Sequence, residues 1–407
     1  MRNARSTAAV VAAGSLVLSV AMGIRATFGF YIGPVADEHL VTFALLSLAI
    51  ATQNLVWGLA QPFAGALTDR FGPAPVVAAG GILYALGILA VAVRPDALAV
   101  VLGFGIFAGA GQACMTFAVV ISSVSRAASP AQRATAVALV AAGGSLGQVL
   151  LVPVAQLAVD ASGVRAALVV MACAVLAVAP FGFVLRSRIA AGAAAPASSP
   201  SGSVKATAAA VATALRDPSF LLLTAGFFAC GYQLAFMGVH LPGYLVACHV
   251  GANVGAAALA LIGFFNVAGS FAFGRAADRV SPQRLLAGLY AARATATLIY
   301  VVVPISAAST LAFAVVMGLT WLGTVPLTNA VIARLHGLPN LGALFGVCFV
   351  GHQLGGFLGA LGGGLSLEFA GSYAPMWIST IAVGYVAAIL NLPIRDVPPS
   401  AAIAPAR

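Results

Sequence analysis

Charge is what this chain has least of. Asp, Glu, Lys and Arg make up 7% of its 407 residues, against about 25% in an ordinary soluble domain. Nine residues are acidic, and each lies at the end of an apolar run or between runs. With 62% hydrophobic residues, a soluble fold could not cover its surface with polar groups, whereas a chain in lipid has to be apolar outside. No phosphate-cradling Gly-x-x-x-x-Gly-Lys-Ser/Thr string occurs, which excludes ATP-driven pumping. Cys114, Cys173, Cys230, Cys248 and Cys348 stand apart in apolar segments without metal-site spacing, so they are read as free thiols. The net charge of +10 is spread singly along the chain, without the basic patch and stacking aromatics of a nucleic-acid binder. Gly143–Gly147 spells the esterase string G-x-S-x-G, but that string needs a strand-turn-helix elbow and here sits in an apolar run. No cofactor, metal or catalytic constellation is expected, and the chain is not read as an enzyme.

What remains is long and apolar. About 20 apolar residues cross a bilayer as a helix, and that window gives segments near 8–33, 42–67, 74–93, 97–123, 134–157, 164–185, 218–246, 254–274, 285–303, 309–333, 341–367 and 374–393. The basic start Met1–Arg5 mimics a signal peptide. The apolar run after it exceeds the usual 7–15 residues of such a segment, so it is taken as an uncleaved first helix. The chain is therefore expected to be an all-α membrane protein with twelve transmembrane helices. Residues 1–185 form a first six-helix bundle, 186–216 a Pro/Ser-rich cytoplasmic linker, and 217–407 a second bundle. The stretch before Asp217 is read as a short surface helix. With the N-terminus inside, fifteen Lys/Arg fall on the cytoplasmic side and two, Arg94 and Arg165, on the other. That asymmetry puts both termini in the cytoplasm.

The two halves echo each other. GALTDRFG follows the second helix at 65–72 and GRAADRVS the eighth at 274–281, and Asp69 and Asp278 lie 209 residues apart. Internal repeats of this kind mark secondary transporter folds.

GALTDRFG resembles the loop motif G-x-L-a-D-r-x-G of the major facilitator superfamily, and Gly274–Arg279 resembles its weaker second copy. Pro73-Ala74-Pro75 stands where that family carries basic residues. GIRATFGFYIGP (23–34), ATQNLVWGLAQPFAG (51–65), WLGTVPLTNAV (321–331) and GHQLGGFLGALGGG (351–364) are similar to bacterial members near the monocarboxylate transporters. The charged pair that the animal carriers bear in the eighth helix is absent, leaving only Asn266. The cations of the related oxalate carriers in the eighth and eleventh helices are absent too. The resemblance implies two pseudo-symmetric six-helix bundles that rock to open a central cavity alternately to each side. It also implies that the first, fourth, seventh and tenth helices line that cavity.

On this frame Arg25, late in the first helix, is a cation inside the membrane with no acid in any helix core to pair it. A charge there costs about 2.5–3.5 kcal/mol on insertion scales, so it faces a cavity or a partner. Two roles are open: an anion site holding a carboxylate in a bidentate pair, or a structural donor to carbonyls and amides. For Arg293, in the ninth helix, the structural role is preferred. Polar and aromatic stripes share one face on the seventh helix (Gln233, Phe236, His240, Tyr244), the tenth (Trp321, Thr324, Thr328) and the fourth (Gln112, Thr116, Val119). They are read as cavity lining, against the alternative of interhelical bonding. Phe28, Gln148, Asn266 and His352 complete the candidate lining. His240 and His352 are the candidates for carrying a coupled proton. Gly65, Asp69, Arg70, Gly72 and Gly274, Asp278, Arg279 are the candidate gate. The Gly351, Gly355, Gly359, Gly363 ladder is expected to serve sliding between the halves.

The leading expectation is a secondary carrier for a small organic anion, a monocarboxylate, working as a monomer in a bacterial inner membrane, by symport if a proton is coupled. The alternative is efflux of amphipathic or cationic compounds, although no cavity acid is present to attract a cation.

Overall fold

In hydrocarbon, peptide groups have only one another to bond, and a lone chain segment satisfies them by winding into a helix. The computed structural model describes residues 2–38, 41–128, 133–185, 204–277, 279–337 and 341–395. These are helical almost throughout, with no strand among them. The first span is Arg2–Thr27 continued by Gly29–Glu38, the second Phe43–Phe71 and the third Pro73–Val93. The fourth begins with the turn Ala97–Ala99, runs on as the π-helical stretch Val100–Phe107 and continues as Ala108–Met115 and Phe117–Ala127. Then follow the seventh, Pro218–Ala247, the eighth, Ala252–Ala276, and the ninth, Pro282–Val302. The tenth is Ala307–Thr320 with Thr324–His336, the eleventh Leu341–Ala370, and the twelfth Ala374–Asn391.

The fifth and sixth spans lie in one apolar stretch, Ala136–Leu185, of 50 residues. An unbroken helix of that length would be about 75 Å long, more than twice the hydrocarbon core. Gly163, at φ 78°, turns the chain there and splits the stretch in two. With ten other apolar stretches of spanning length among the described residues, that makes the expected twelve. The surface helix foreseen before Asp217 is Val204–Ala214.

Small residues set the packing. Gly143 and Gly147 of the fifth span rest on the backbone of Ser15 and Ser19 in the first, with no room for a Cβ. Contrary to expectation, the glycine ladder of the eleventh span does not lie between the halves. Gly351, Gly355, Gly359 and Gly363 seat Thr224, Phe228, Tyr232 and His240 of the seventh span, in the same half. Gly356 and Gly364, one position on, face Asn54 and Ser47 of the second span in the other half. A helix has room for both contacts because residues one apart point about 100° away from each other.

Thr7 donates to the carbonyl of Ala127 at 3.1 Å, and Asp217 pairs with Arg395 at 2.6 Å and His336 at 3.5 Å. These contacts gather the starts of the first and seventh spans and the ends of the fourth, tenth and twelfth on one face, the terminal face. Contacts between the halves run from mid-membrane to the opposite face. Ala44 N–H donates to Glu368 at 3.3 Å, and the Gln148 amide donates to the Leu259 carbonyl at 2.7 Å. Toward the terminal face the halves part along the seam of the fifth and eighth spans. A crevice of about 940 Å³ there lies among Val11, Ser15, Gly143, Phe264 and Val267.

Candidate functional site

Arg25 sits three residues before the first span is interrupted at Phe28. Its guanidinium donates to Asn54 Oδ1 at 2.6 Å and lies over the ring of Trp57, 5.2 Å from the centroid. Asn54 is held for this by its own amide, which donates back to the Ile50 carbonyl at 3.0 Å. Trp57 is held by its indole N–H, which donates to Thr116 at 2.9 Å. Among the described residues, Arg25 makes no ion pair; the paired carboxylates Asp96 and Asp217 both stand at helix starts. A half-buried guanidinium with one amide bond and one π face retains donors for another acceptor, since it has five.

The arrangement continues across the halves. Gln353 of the eleventh span donates to the backbone carbonyl of Asn54 at 2.8 Å, and its Oε1 meets His352 Nδ1 at 2.9 Å. Gly58 opposite leaves room for the Gln353 side chain, whose Cγ would lie 2.6 Å from an added Cβ. The path Arg25–Asn54–Gln353–His352 therefore joins a cation in one half to an imidazole in the other. Phe349 stacks on His352 at 5.6 Å and meets the edge of Trp57 at 5.5 Å. Asn54, Trp57, Gln353 and Phe349 were not foreseen as site residues. Their only signal is that Asn54, Trp57 and Gln353 fall in stretches 51–65 and 351–364, on the second and eleventh helices rather than on the four expected to line the cavity.

The other candidates are engaged within the bundles or between helices. Gln112 accepts from Gln53 at 3.3 Å, and Phe28 packs edge-on to Phe104 at 4.7 Å. Gln233 lies between Arg293 at 3.2 Å and the Thr380 carbonyl at 3.0 Å. His240 bonds the Ala360 carbonyl at 2.7 Å, beside Phe236 and Tyr373. Tyr244 meets Trp377 at 4.9 Å, and Thr324 meets Cys230 at 3.2 Å. In this conformation Gln233, His240, Gln112 and Thr324 thus bond neighbouring helices, whereas the buried hydroxyl of Thr328 has no partner among the described residues. Arg293 is fully buried. It donates to Gln233, Cys230 and the carbonyls of Thr320 and Trp321.

Those two carbonyls end the first part of the broken tenth span, where no helical N–H is left to reach them. The loosened N–H of Leu322 donates to Asn266 Oδ1 of the eighth span at 2.9 Å. The same Asn266 donates to Ser145 of the fifth span at 2.8 Å, across the halves. The fourth span breaks at Thr116, which is extended at φ −119°, ψ −150°. There Gln61 of the second span accepts the Ala118 N–H at 3.1 Å and donates to Thr116 at 2.8 Å. One side-chain amide thus holds the break in each half, from the second span onto the fourth and from the eighth onto the tenth. Replacing either amide strands a backbone N–H, at about 1–3 kcal/mol. Gln61→Leu and Asn266→Leu are each expected to lower the melting midpoint of the purified protein, and the double variant to lower it additively. A midpoint unmoved by either change would mean that water takes over the bond.

At the candidate gate, Gly72 ends the second span at φ 81°, its N–H donating to Thr68 O at 2.8 Å. Arg70 lies over Phe71 at 5.1 Å, and Arg279 closes a turn on the Ala276 carbonyl. Gly65 meets Ala118, and Gly274 meets Pro326, each in its own half. The side chain of Asp69, and Asp278 altogether, lie outside the described residues. Among the described residues no group of three His, Cys, Asp or Glu gathers to hold a metal.

The chain matches the Major Facilitator Superfamily over residues 14–360. It is 23% identical over 392 residues to the MFS-type transporter YcxA of Bacillus subtilis (strain 168), covering 94% of each chain. It is 29% identical over 363 residues to monocarboxylate transporter 11 of Homo sapiens, covering 86% of this chain and 74% of that one. A bacterial homologue of the human lysosomal transporter Spinster, inward-facing and occupied, superposes with a TM-score of 0.76 at 14% identity, over 98% of both chains.

Proposed function

The chain belongs to the Major Facilitator Superfamily, a transporter and not an enzyme, and we propose that it carries a small organic anion, a monocarboxylate, by alternating access. The observation behind this reading is Arg25: a half-buried membrane guanidinium bonded to a neutral amide and facing no carboxylate among the described residues. A carboxylate arriving there meets charge-assisted donors in a bidentate geometry. It repays the cost of holding the cation in the membrane. The named monocarboxylate transporter among the relatives points the same way.

The anion sits where both halves reach it, because Asn54 beside Arg25 is bonded to Gln353 of the other half. Binding at this point couples occupancy to the approach of the halves. His352 ends the same path, whereas His240 bonds Ala360 inside its bundle, so a proton moving with the anion would ride on His352. The excess of basic residues on the terminal side supports a reading with both termini in the cytoplasm of a bacterial cell. The terminal face would then be the cytoplasmic one.

A thermal-shift screen of the purified protein against monocarboxylates, dicarboxylates and cationic dyes tests the reading. Monocarboxylates are expected to raise the melting midpoint of the wild type and to leave Arg25→Ala unmoved. Stabilisation by the dyes alone would replace the anion carrier with the cationic-efflux alternative.

A further inference from the structure

The surfaces beyond Arg25 are aromatic. Phe345 and Phe349 are one turn apart on the eleventh span and share a face, with ring centroids 6.2 Å apart. Trp57, from the second span, meets Phe349 at 5.5 Å and Phe117 of the fourth at 6.1 Å. Phe227 of the seventh backs the group, 5.8 Å from Phe345. Four helices from both halves thus contribute to one run of rings that starts under the Arg25 guanidinium. Trp57 and Phe227 are buried, as the anchoring members; Phe117, Phe345 and Phe349 are only half-buried and keep part of each ring uncovered. Beside the last two, a Cβ added at Gly346 would meet nothing within 4 Å, so there is space along this wall. None of these side chains carries charge.

A site with one cation at its end and uncovered rings beyond it selects for shape as well as charge. A two- or three-carbon acid would engage Arg25 and leave the rings wet. A dicarboxylate would press its second charge against them with no partner, an expensive arrangement. An anion with one carboxylate and an aryl tail fits both parts, its ring packing edge-to-face or offset on Phe345 and Phe349. Resting on the anion-site reading above, the geometry points to an aryl-substituted monocarboxylate as the transported class.

Pyruvate and phenylpyruvate share the same acid head and differ by the ring, so they isolate the tail. Each ring contact is worth about 0.5–1.5 kcal/mol beyond the area it buries, so two contacts give about tenfold or more. In competition for uptake by the full-length protein in proteoliposomes, phenylpyruvate is expected to half-inhibit at about a tenth of the pyruvate concentration or less. Phe345→Ala and Phe349→Ala should bring the two acids together, by weakening phenylpyruvate more than pyruvate. Phe345→Leu and Phe349→Leu, which keep apolar volume for folding, should give an intermediate ratio. Equal potency of the two acids on the wild type, both lost in Arg25→Ala, would overturn the aryl assignment and leave the anion site standing. If Arg25→Ala changes neither, the anion site and the aryl assignment fall together.

Discussion

Replacing Arg25 with alanine is expected to cut carboxylate uptake about a hundredfold or more, and Arg25→Lys to keep about a tenth of it. A hydrogen bond to a charged group contributes about 1.5–3 kcal/mol, and a bidentate pair has two. The alanine variant loses both, and each 1.4 kcal/mol is a factor of ten. Lysine restores the charge as a single point without the planar fork, so one bond of the pair is lost. The lysine also has to share its single ammonium between Asn54 Oδ1, now 2.6 Å from the guanidinium, and the carboxylate. Exchange of labelled substrate in proteoliposomes reads both values. Uptake by Arg25→Ala within threefold of wild type would return Arg25 to a structural role.

Arg293→Met should have the largest effect on stability and none on which anion is bound. The side chain is fully buried and ties the ninth span to the seventh through Gln233 and to the break in the tenth through two carbonyls. Methionine leaves those three acceptors without donors, each at about 1–3 kcal/mol, and about 3 kcal/mol or more together is a large share of the usual total stability. The variant is expected to accumulate poorly or to melt far below the wild type, with Arg293→Lys between them. Whatever folds should bind carboxylate with unchanged affinity, because Arg293 lies inside the second bundle and away from Arg25. An unchanged melting midpoint with lost binding would make it a substrate residue instead.

The two arginines show what could be read before the fold. Both are cations in apolar runs, and composition alone sets them apart as costly. Their partners could not be read, because Asn54 and Gln353 meet only when the second and eleventh spans pack, 299 residues apart along the chain. The spans themselves were legible, since hydropathy over 20 residues is a local property; even the turn near Gly163 was marked by the polar Asp160 beside it. The breaks in the first, fourth and tenth spans were not. Prolines are the usual breakers, yet Pro62, Pro153 and Pro242 lie in helices that continue through them. The fourth and tenth break where Gln61 and Asn266 from neighbouring spans receive the freed N–H groups. For the same reason the sequence leaves two readings of the stripe of Gln233, Phe236, His240 and Tyr244. An amide or imidazole on one helical face has the same spacing whether it meets water or another helix, and here the seventh span turns that face to the eleventh and twelfth.

A calorimetric titration of one aryl carboxylate into the wild type and into Arg25→Gln, a variant that keeps hydrogen-bonding capacity but no charge, asks whether an uncompensated membrane cation is the anion site. Saturable binding by the wild type that disappears in Arg25→Gln, with the melting midpoint of the unliganded protein preserved, is the predicted result. Equal affinity in the two proteins would contradict it.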